Sequence, residues 1–206
     1  MKSNILEFKK FKIKTDENVF SPRYDVEIFP RALEKIIKKN SKILELGTGT
    51  GAISISLAKK FEDVSILATD INPFAIKIAK QNAVINGVEK NIFFKESNWF
   101  SNINNNKYDF IITNPPYLSK KDSKYFSGLS DPYNSLYSEN EGLHDIFNIM
   151  QNSKYYLNSN SYLVIEHSHK QTLVLKDYAI KFKYSYIETK KDDVGFNRVS
   201  IFSNSI

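Results

Sequence analysis

Cysteine is absent from this 206-residue chain. That excludes disulfides, a catalytic thiol and any thiolate metal site. Long apolar runs are absent as well: none approaches the ~20 residues that a membrane-spanning helix needs. The first fourteen residues, MKSNILEFKKFKIK, alternate charge with apolar side chains and contain no apolar core segment, so they do not read as a signal peptide. Internal repeats are missing, and no linker divides the chain. Together these absences lead to the expectation of a soluble, cytoplasmic protein with one main domain.

Among the residues present, 41% are hydrophobic, 14% aromatic and 25% charged. That mixture supports a sizeable core and excludes disordered, collagen-like and coiled-coil classes. At ~150 residues per domain, one α/β domain with a short appendage is expected: residues 1–27 as a hairpin and connecting motif, 28–206 as the main domain. The net charge of +6 invites a nucleic-acid reading. The lysines, however, are scattered in pairs rather than gathered into a block, which fits a solvated surface.

Ile5–Lys14 alternates around Lys9-Lys10 and predicts a small hairpin. A helical pattern follows through Ile28, Leu33, Ile36 and Ile37. From Lys42 a regular alternation sets in. Strands are predicted at Ile43–Leu46, Ser65–Ala68, Ile92–Lys95 and Tyr108–Thr113, with helices at Ala52–Lys60 and Pro73–Asn86 between them. Lys120–Glu141 reads as an irregular insertion. Leu143–Leu157 and Thr172–Phe182 are predicted helices, and Tyr162–Glu166, Tyr184–Thr189 and Arg198–Phe202 predicted strands. Strands alternating with helices imply a doubly wound, seven-stranded and mostly parallel sheet. The last two strands follow one another without a helix and predict an antiparallel edge.

Leu44-Glu45-Leu46-Gly47-Thr48-Gly49-Thr50-Gly51 lies where the first sheet strand runs into a helix. Glycines there permit a tight turn and let the backbone approach a ligand at the helix amino terminus. Asp70, 19 residues after Gly51, closes the next strand, where an acid reaches two ribose hydroxyls. The site therefore suits an adenosine-containing cofactor. The loop also satisfies the dinucleotide pattern, with Ala52 as third small residue. Two features favour S-adenosylmethionine: the Glu45 carboxylate, suited to a cationic methionine end, and a loop without basic residues.

Asn114-Pro115-Pro116-Tyr117 follows the fourth sheet strand and so reaches the same edge. The nitrogen of an amide or aromatic amine has a delocalised lone pair and is a poor nucleophile. It needs two acceptors that hold its N–H bonds and aim it. The Asn114 side-chain carbonyl and the Pro115 backbone carbonyl fit that role. The prolines stiffen the loop and add no competing donors, and Tyr117 offers a flat face for stacking. Such a site works by positioning and hydrogen-bonded charge stabilisation, without a strong base.

With these residues the chain resembles the class I S-adenosylmethionine-dependent methyltransferases of amino nitrogens, a Rossmann-like fold. Within that class it is similar to the PrmC/HemK family, the release factor glutamine methyltransferases. The resemblance runs from about Glu7 to the carboxyl terminus. It takes in Ser21-Pro22-Arg23-Tyr24-Asp25-Val26-Glu27 for the family's Pro-Arg-Pro-Glu/Asp-Thr-Glu, and Ser97-Asn98-Trp99-Phe100 for its Ser/Gly-Asp-Trp/Leu-Phe. Glu141-Gly142-Leu143, Ile165-Glu166-His167 with Gln171, and Asp192–Arg198 match further segments in order. The resemblance implies S-adenosylmethionine as donor, S-adenosylhomocysteine as product, and the glutamine amide of the Gly-Gly-Gln motif of a peptide chain release factor as acceptor. It further implies that Trp99 lines the adenine pocket and that Asn98 stands where an acid would accept from the adenine amine, with weaker cofactor binding as the consequence. Val26 replaces a threonine, and the family's helical amino-terminal domain has no counterpart before the hairpin.

The cofactor-binding set is thus Glu45, Gly47, Thr48, Gly49, Thr50, Gly51, Asp70, Asn98, Trp99 and Asn114, and the catalytic set Asn114, Pro115, Pro116 and Tyr117. A methyltransferase acting on the exocyclic amine of adenine in RNA or DNA uses the same chemistry and is the alternative; a non-catalytic cofactor-binding subunit is the third reading. No metal site is expected: His167 and His169 lack a third ligand and read as polar residues at a strand end, with His144 in the first turn of its helix. Asp131-Pro132-Tyr133 reads equally as a lid or as plain surface loop.

Overall fold

The structure is a computed structural model that describes residues 4–125 and 131–205. Residues 126–130, within the predicted insertion, lie outside the described residues, as do the two chain ends and the side chains of Tyr24, Asp25, Asp122, Lys124 and Tyr125.

The hairpin is present as β1 (Ile5–Glu7) and β2 (Lys12–Lys14), closed by the stacked rings of Phe8 and Phe11 at 4.6 Å. It does not stand apart, because Phe11 and Ile13 are buried in the main core. The helix predicted through Ile37 is shorter. A single 3-10 turn at Tyr24–Glu27 leads into α1 (Ile28–Leu33), after which the amides of Ile36 and Ile37 both donate to the Leu33 carbonyl and the chain turns off.

The alternation then runs β3 (Lys42–Leu46), α2 (Ala52–Lys60), β4 (Ser65–Asp70), α3 (Pro73–Ile85), β5 (Ile92–Glu96) and β6 (Tyr108–Thr113). β7 (Leu118–Ser119) leads into the stretch predicted to be irregular, which carries α4 (Tyr133–Leu136), β8 (Tyr137–Ser138) and the start of α5 (Glu139–Gly142), with β7 and β8 paired in parallel. Next come α6 (His144–Ser153), β9 (Leu157–Glu166), α7 (Thr172–Lys181), β10 (Ser185–Lys191) and β11 (Asn197–Ser203).

Seven strands form one sheet in the order β10-β11-β9-β6-β3-β4-β5. The expected seven-stranded, mostly parallel sheet is therefore found. The single reversed strand is β11, antiparallel to both β9 and β10, and it lies one place in from the edge. The helical crossover α7 carries the chain past that place to β10, and β11 folds back into the gap.

Central strands of such a sheet are covered on both faces and read as apolar runs. Ile43, Phe110 and Ile112 point into a core shared with α1 and α2; Leu44, Leu46 and Ile111 point the other way, against Ile146, Ile149, Met150 and Leu175 of α6 and α7. Among the described residues no helix is long and apolar enough to cross a membrane.

Two asparagines, Asn82 in α3 and Asn86 at its carboxyl-terminal cap, attach the hairpin to that helix. Asn86 exchanges hydrogen bonds with the Lys12 amide (3.0 Å) and carbonyl (2.7 Å), as a neighbouring strand would. Asn82, fully buried, accepts from the Lys14 amide at 2.8 Å and donates to the Lys14 carbonyl at 3.0 Å and the Thr50 carbonyl at 2.9 Å. One carboxamide thereby ties hairpin and glycine loop together.

Candidate active site

β3 and β6 are neighbours, paired from Ile43 with Phe110 to Leu46 with Thr113. Their carboxyl ends therefore place the glycine loop beside Asn114–Tyr117. The strand order also reverses here, since β4 lies on one side of β3 and β6 on the other, and ligands bind at such switch points. A cavity of about 1520 Å³ opens at this edge.

The loop is held by its own backbone. Gly47, Gly49 and Gly51 all have positive φ (70°, 55° and 82°), a region that costs other residues ~1–2 kcal/mol. At Gly51 a side chain would also meet the Ala79 Cβ at 3.1 Å, so this glycine serves the packing of α2 on α3 and does not line the cavity. Gly47, Thr48, Gly49 and Thr50 do line it.

Asp70 ends β4 facing the same space. Its two oxygens accept from the Gly49 amide (2.8 Å) and the Asn72 amide (2.9 Å). A carboxylate has about four lone-pair sites, so each oxygen keeps acceptor capacity, the number a ribose diol requires. Burial raises its carboxyl above the usual aspartate range, against the pull of the amides.

Glu45 is placed differently from the sequence expectation. It is buried beneath the loop and does not line the cavity. One oxygen accepts from the Thr48 hydroxyl at 2.8 Å and from Ser54, while Oε1 has no hydrogen-bond partner among the described residues. Its carboxyl is pushed up to about 7 by desolvation, with the charge of Asp70 adding to the rise and the two hydroxyls opposing it. Instead of contacting a ligand, it braces Thr48 from below.

Asn98 and Trp99 both line the cavity. Trp99 adopts φ 46°, its indole lies against Gly47, and its Nε1 donates to Asp145 Oδ1 at 3.2 Å. The Ser138 hydroxyl holds the other Asp145 oxygen at 2.6 Å. Sequence reasoning missed Asp145 and Ser138; neither belongs to a local pattern.

Asn114, Pro115, Pro116 and Tyr117 form the facing wall. The Asn114 side chain has no hydrogen-bond partner among the described residues, so its carbonyl is available. The Tyr117 hydroxyl donates to Glu166 Oε1 at 3.1 Å, which orients the ring. At the rim, Asp131 accepts from the Ser21 amide at 2.7 Å and pairs with Arg23, so the insertion closes onto the segment before α1. His167 and His169 do not share a site. His167 is buried between Ser168 and Ser200, whereas the ring of His169 lies tilted against that of Phe196.

Residues 10–128 match the model of the methyltransferase small domain family. Over 198 residues the chain is 39% identical to "Release factor glutamine methyltransferase" of Buchnera aphidicola subsp. Acyrthosiphon pisum, covering 95% of this chain and 71% of that protein. The protein of the same name from Escherichia coli is 31% identical over 97% of this chain and 73% of its own length. Among solved structures, the ribosomal protein L11 methylase from Lactobacillus delbrueckii subsp. bulgaricus superposes with a TM-score of 0.69, 16% identity and coverage of 92% and 82%. The hMettl16 catalytic domain in complex with MAT2A 3′UTR hairpin 6 superposes with a TM-score of 0.75 at 16% identity, covering 95% of this chain and 76% of that one. At that identity the two structures speak to the fold, a Rossmann-like class I methyltransferase. With the family match over more than half of its length and relatives of which it covers more than two thirds, the chain belongs to the methyltransferase small domain family and, within it, to the release factor glutamine methyltransferases.

Proposed function

We propose that this chain transfers a methyl group from S-adenosylmethionine to the side-chain amide nitrogen of the Gly-Gly-Gln glutamine of a peptide chain release factor. One observation carries the reading: the Asn114 carboxamide, without a hydrogen-bond partner among the described residues, stands in the cavity wall one strand away from the glycine loop and two from Asp70.

On this reading the residues divide their labour. When bound, S-adenosylmethionine supplies an electrophilic methyl group on a sulfonium. Asp70 would take the ribose hydroxyls, the amides around Gly47–Thr50 would line the methionine end, and Trp99 with Asn98 would border the base. Asn114 Oδ1 and the Pro115 carbonyl each accept one N–H of the substrate amide, which turns the nitrogen lone pair towards the methyl carbon. Tyr117, its ring fixed through Glu166, presents a face to the planar amide. Transfer would form the carbon–nitrogen bond as the methyl–sulfur bond breaks, leaving S-adenosylhomocysteine, and the nitrogen held at Asn114 Oδ1 and the Pro115 carbonyl would release one of its protons to water.

The test is incubation with labelled S-adenosylmethionine, a purified release factor and total RNA. Label is expected in the release factor, at its glutamine, and lost in Asn114→Ala by ~10²–10³ in rate, as for other positioned hydrogen-bond partners. Label in RNA would move the assignment to a nucleobase amine, and binding without turnover on either would leave a cofactor-binding subunit.

A further inference from the structure

The Asn114–Tyr117 loop has an unusual anchoring problem. Pro115 and Pro116 carry no N–H, so the backbone at those two positions cannot be tied down by its own donors. The β6 ladder stops at Thr113, and pairing resumes only at Leu118. Yet the proposed chemistry depends on where the Pro115 carbonyl and the Asn114 side chain stand.

Gln171 lies across this gap. It ends the 3-10 turn His169–Gln171 that follows β9, and it is buried. Its Nε2 lies 3.1 Å from the Tyr117 carbonyl, 3.3 Å from that of Glu141 and 3.2 Å from that of Gly142. Its Oε1 accepts from the Ser168 amide at 3.0 Å, which fixes the amide's orientation, since a flipped group would point an oxygen at three carbonyls. Two N–H bonds shared among three acceptors join β9, the end of the insertion and the loop.

The insertion is shaped to reach this point. Asn140, Glu141 and Gly142 are all left-handed, with φ of 50°, 58° and 82°. Such strain persists only where surrounding structure imposes it, and it clusters at functional sites. A Cβ at residue 142 would sit 2.1 Å from the Tyr117 carbonyl oxygen and 3.0 Å from Gln171 Nε2. Gly142 thus allows the close approach, and Gln171 secures it.

We propose that Gln171 is a positioning residue for methyl transfer. Its carboxamide, admitted by Gly142, holds the Tyr117 carbonyl and so sets the register of the Asn114–Tyr117 loop. The inference rests on the function proposed above for that loop.

The full chain is compared with Gln171→Met, which keeps length without a donor, and Gln171→Glu, which aims an acceptor at the three carbonyls. A misplacement of about 1 Å costs up to ~10²-fold in rate. Accordingly, kcat on the release factor is expected to fall about tenfold in Gln171→Met and about a hundredfold in Gln171→Glu. The release-factor KM and the Kd for S-adenosylhomocysteine should stay within about threefold. Amide exchange at Tyr117 and Leu118 should quicken about tenfold in Gln171→Met. If Gln171→Glu fails to fold, Gln171→Met decides. A folded Gln171→Met with wild-type kcat or wild-type exchange overturns the proposal, and so does a loss of cofactor affinity that matches the loss of rate. If the wild-type chain itself methylates no release factor, the substrate reading falls, and the exchange measurement alone judges the anchoring.

Discussion

Glu45 and His167 are both buried away from solvent, one beneath the glycine loop and one between β9 and β11, and each departs from its ordinary protonation. The Glu45 carboxyl rises from 4.5 to about 7, chiefly through desolvation. His167 falls from 6.5 to about 4, again chiefly through desolvation, with the nearby Arg198 charge contributing. Its Nδ1 faces the Ser168 carbonyl at 2.8 Å, so Nδ1 carries the proton and Nε2 accepts from the Ser200 hydroxyl at 2.7 Å. Between pH 4.5 and 7 the folded chain binds the Glu45 proton and the unfolded chain does not, so this group weakens folding as pH rises. Between pH 6.5 and 4 the unfolded chain binds the His167 proton and the folded chain does not, so this group weakens folding as pH falls. Each slope is ~1.4 kcal/mol per pH unit, and from about 4.5 to 6.5 they oppose one another. Folding in that window moves one proton from the histidine to the glutamate without net uptake.

Removing either partner exposes the slope of the other. Relative to wild type, Glu45→Gln should gain stability as pH rises from 4.5 to 7, by roughly 3 kcal/mol in all, and His167→Gln should gain a similar amount as pH falls from 6.5 to 4. The constant offset of each variant, from altered packing and an unpaired amide, drops out of the comparison. The assay is urea unfolding at half-unit pH steps, read as midpoint and slope. If the variants' stability curves run parallel to wild type across pH 4.5–6.5, with less than ~0.5 kcal/mol of divergence, the two groups do not carry the perturbed protonation assigned to them.

Asp70→Ala should weaken S-adenosylhomocysteine by tenfold or more in calorimetry, since hydrogen bonds to a charged group are worth ~1.5–3 kcal/mol each, while kcat at saturating cofactor stays near wild type. Asn82→Leu should destabilise the fold by ~2–4 kcal/mol in urea, because it strands the Lys14 amide and carbonyl and the Thr50 carbonyl without their partner; an unchanged midpoint would count against that bridge. Gly51→Ala should cost ~1–2 kcal/mol from its left-handed backbone alone, with more from contact with Ala79, and should lower cofactor affinity by disturbing the start of α2. Asn114→Ala should leave that affinity within about threefold while abolishing most turnover.

The alternation from Lys42 to Thr113 was legible because each element there has its own local periodicity, and the helix at Ala52–Lys60 was placed to the residue. Boundaries failed where a polar run hid a strand. Leu157 reads as the end of a helix because Asn158-Ser159-Asn160-Ser161 resembles a loop, yet it opens β9, which passes through Asn160 at φ 56°. The seating of β11 between β9 and β10 was invisible because it depends on where a crossover lands. In the candidate site the glycine loop, Asp70 and Asn114–Tyr117 announce themselves by composition and spacing. Glu45 was misplaced because a strand's period alone does not tell which face of the sheet the loop will cover. Asn82, Asp145 and Asp131 act across 68, 46 and 110 positions of the chain, and no local pattern marks them.

The pairing of β3 with β6 has a mechanical consequence. Apart from Asn114, everything assigned to the donor precedes residue 100, and the amide-holding loop follows residue 113; the two halves meet along a four-pair ladder, closed by the Thr113 hydroxyl on the Leu46 carbonyl at 2.9 Å. A central parallel ladder buried on both faces is among the stiffest connections a protein can make. On the proposed function, the separation between the departing and receiving atoms is thereby built into the sheet and is not negotiated by mobile loops at each turnover. What remains adjustable is the rim, where Arg23 and Asp131 meet, so this architecture leaves variation free to alter arrival and departure while the aim stays fixed.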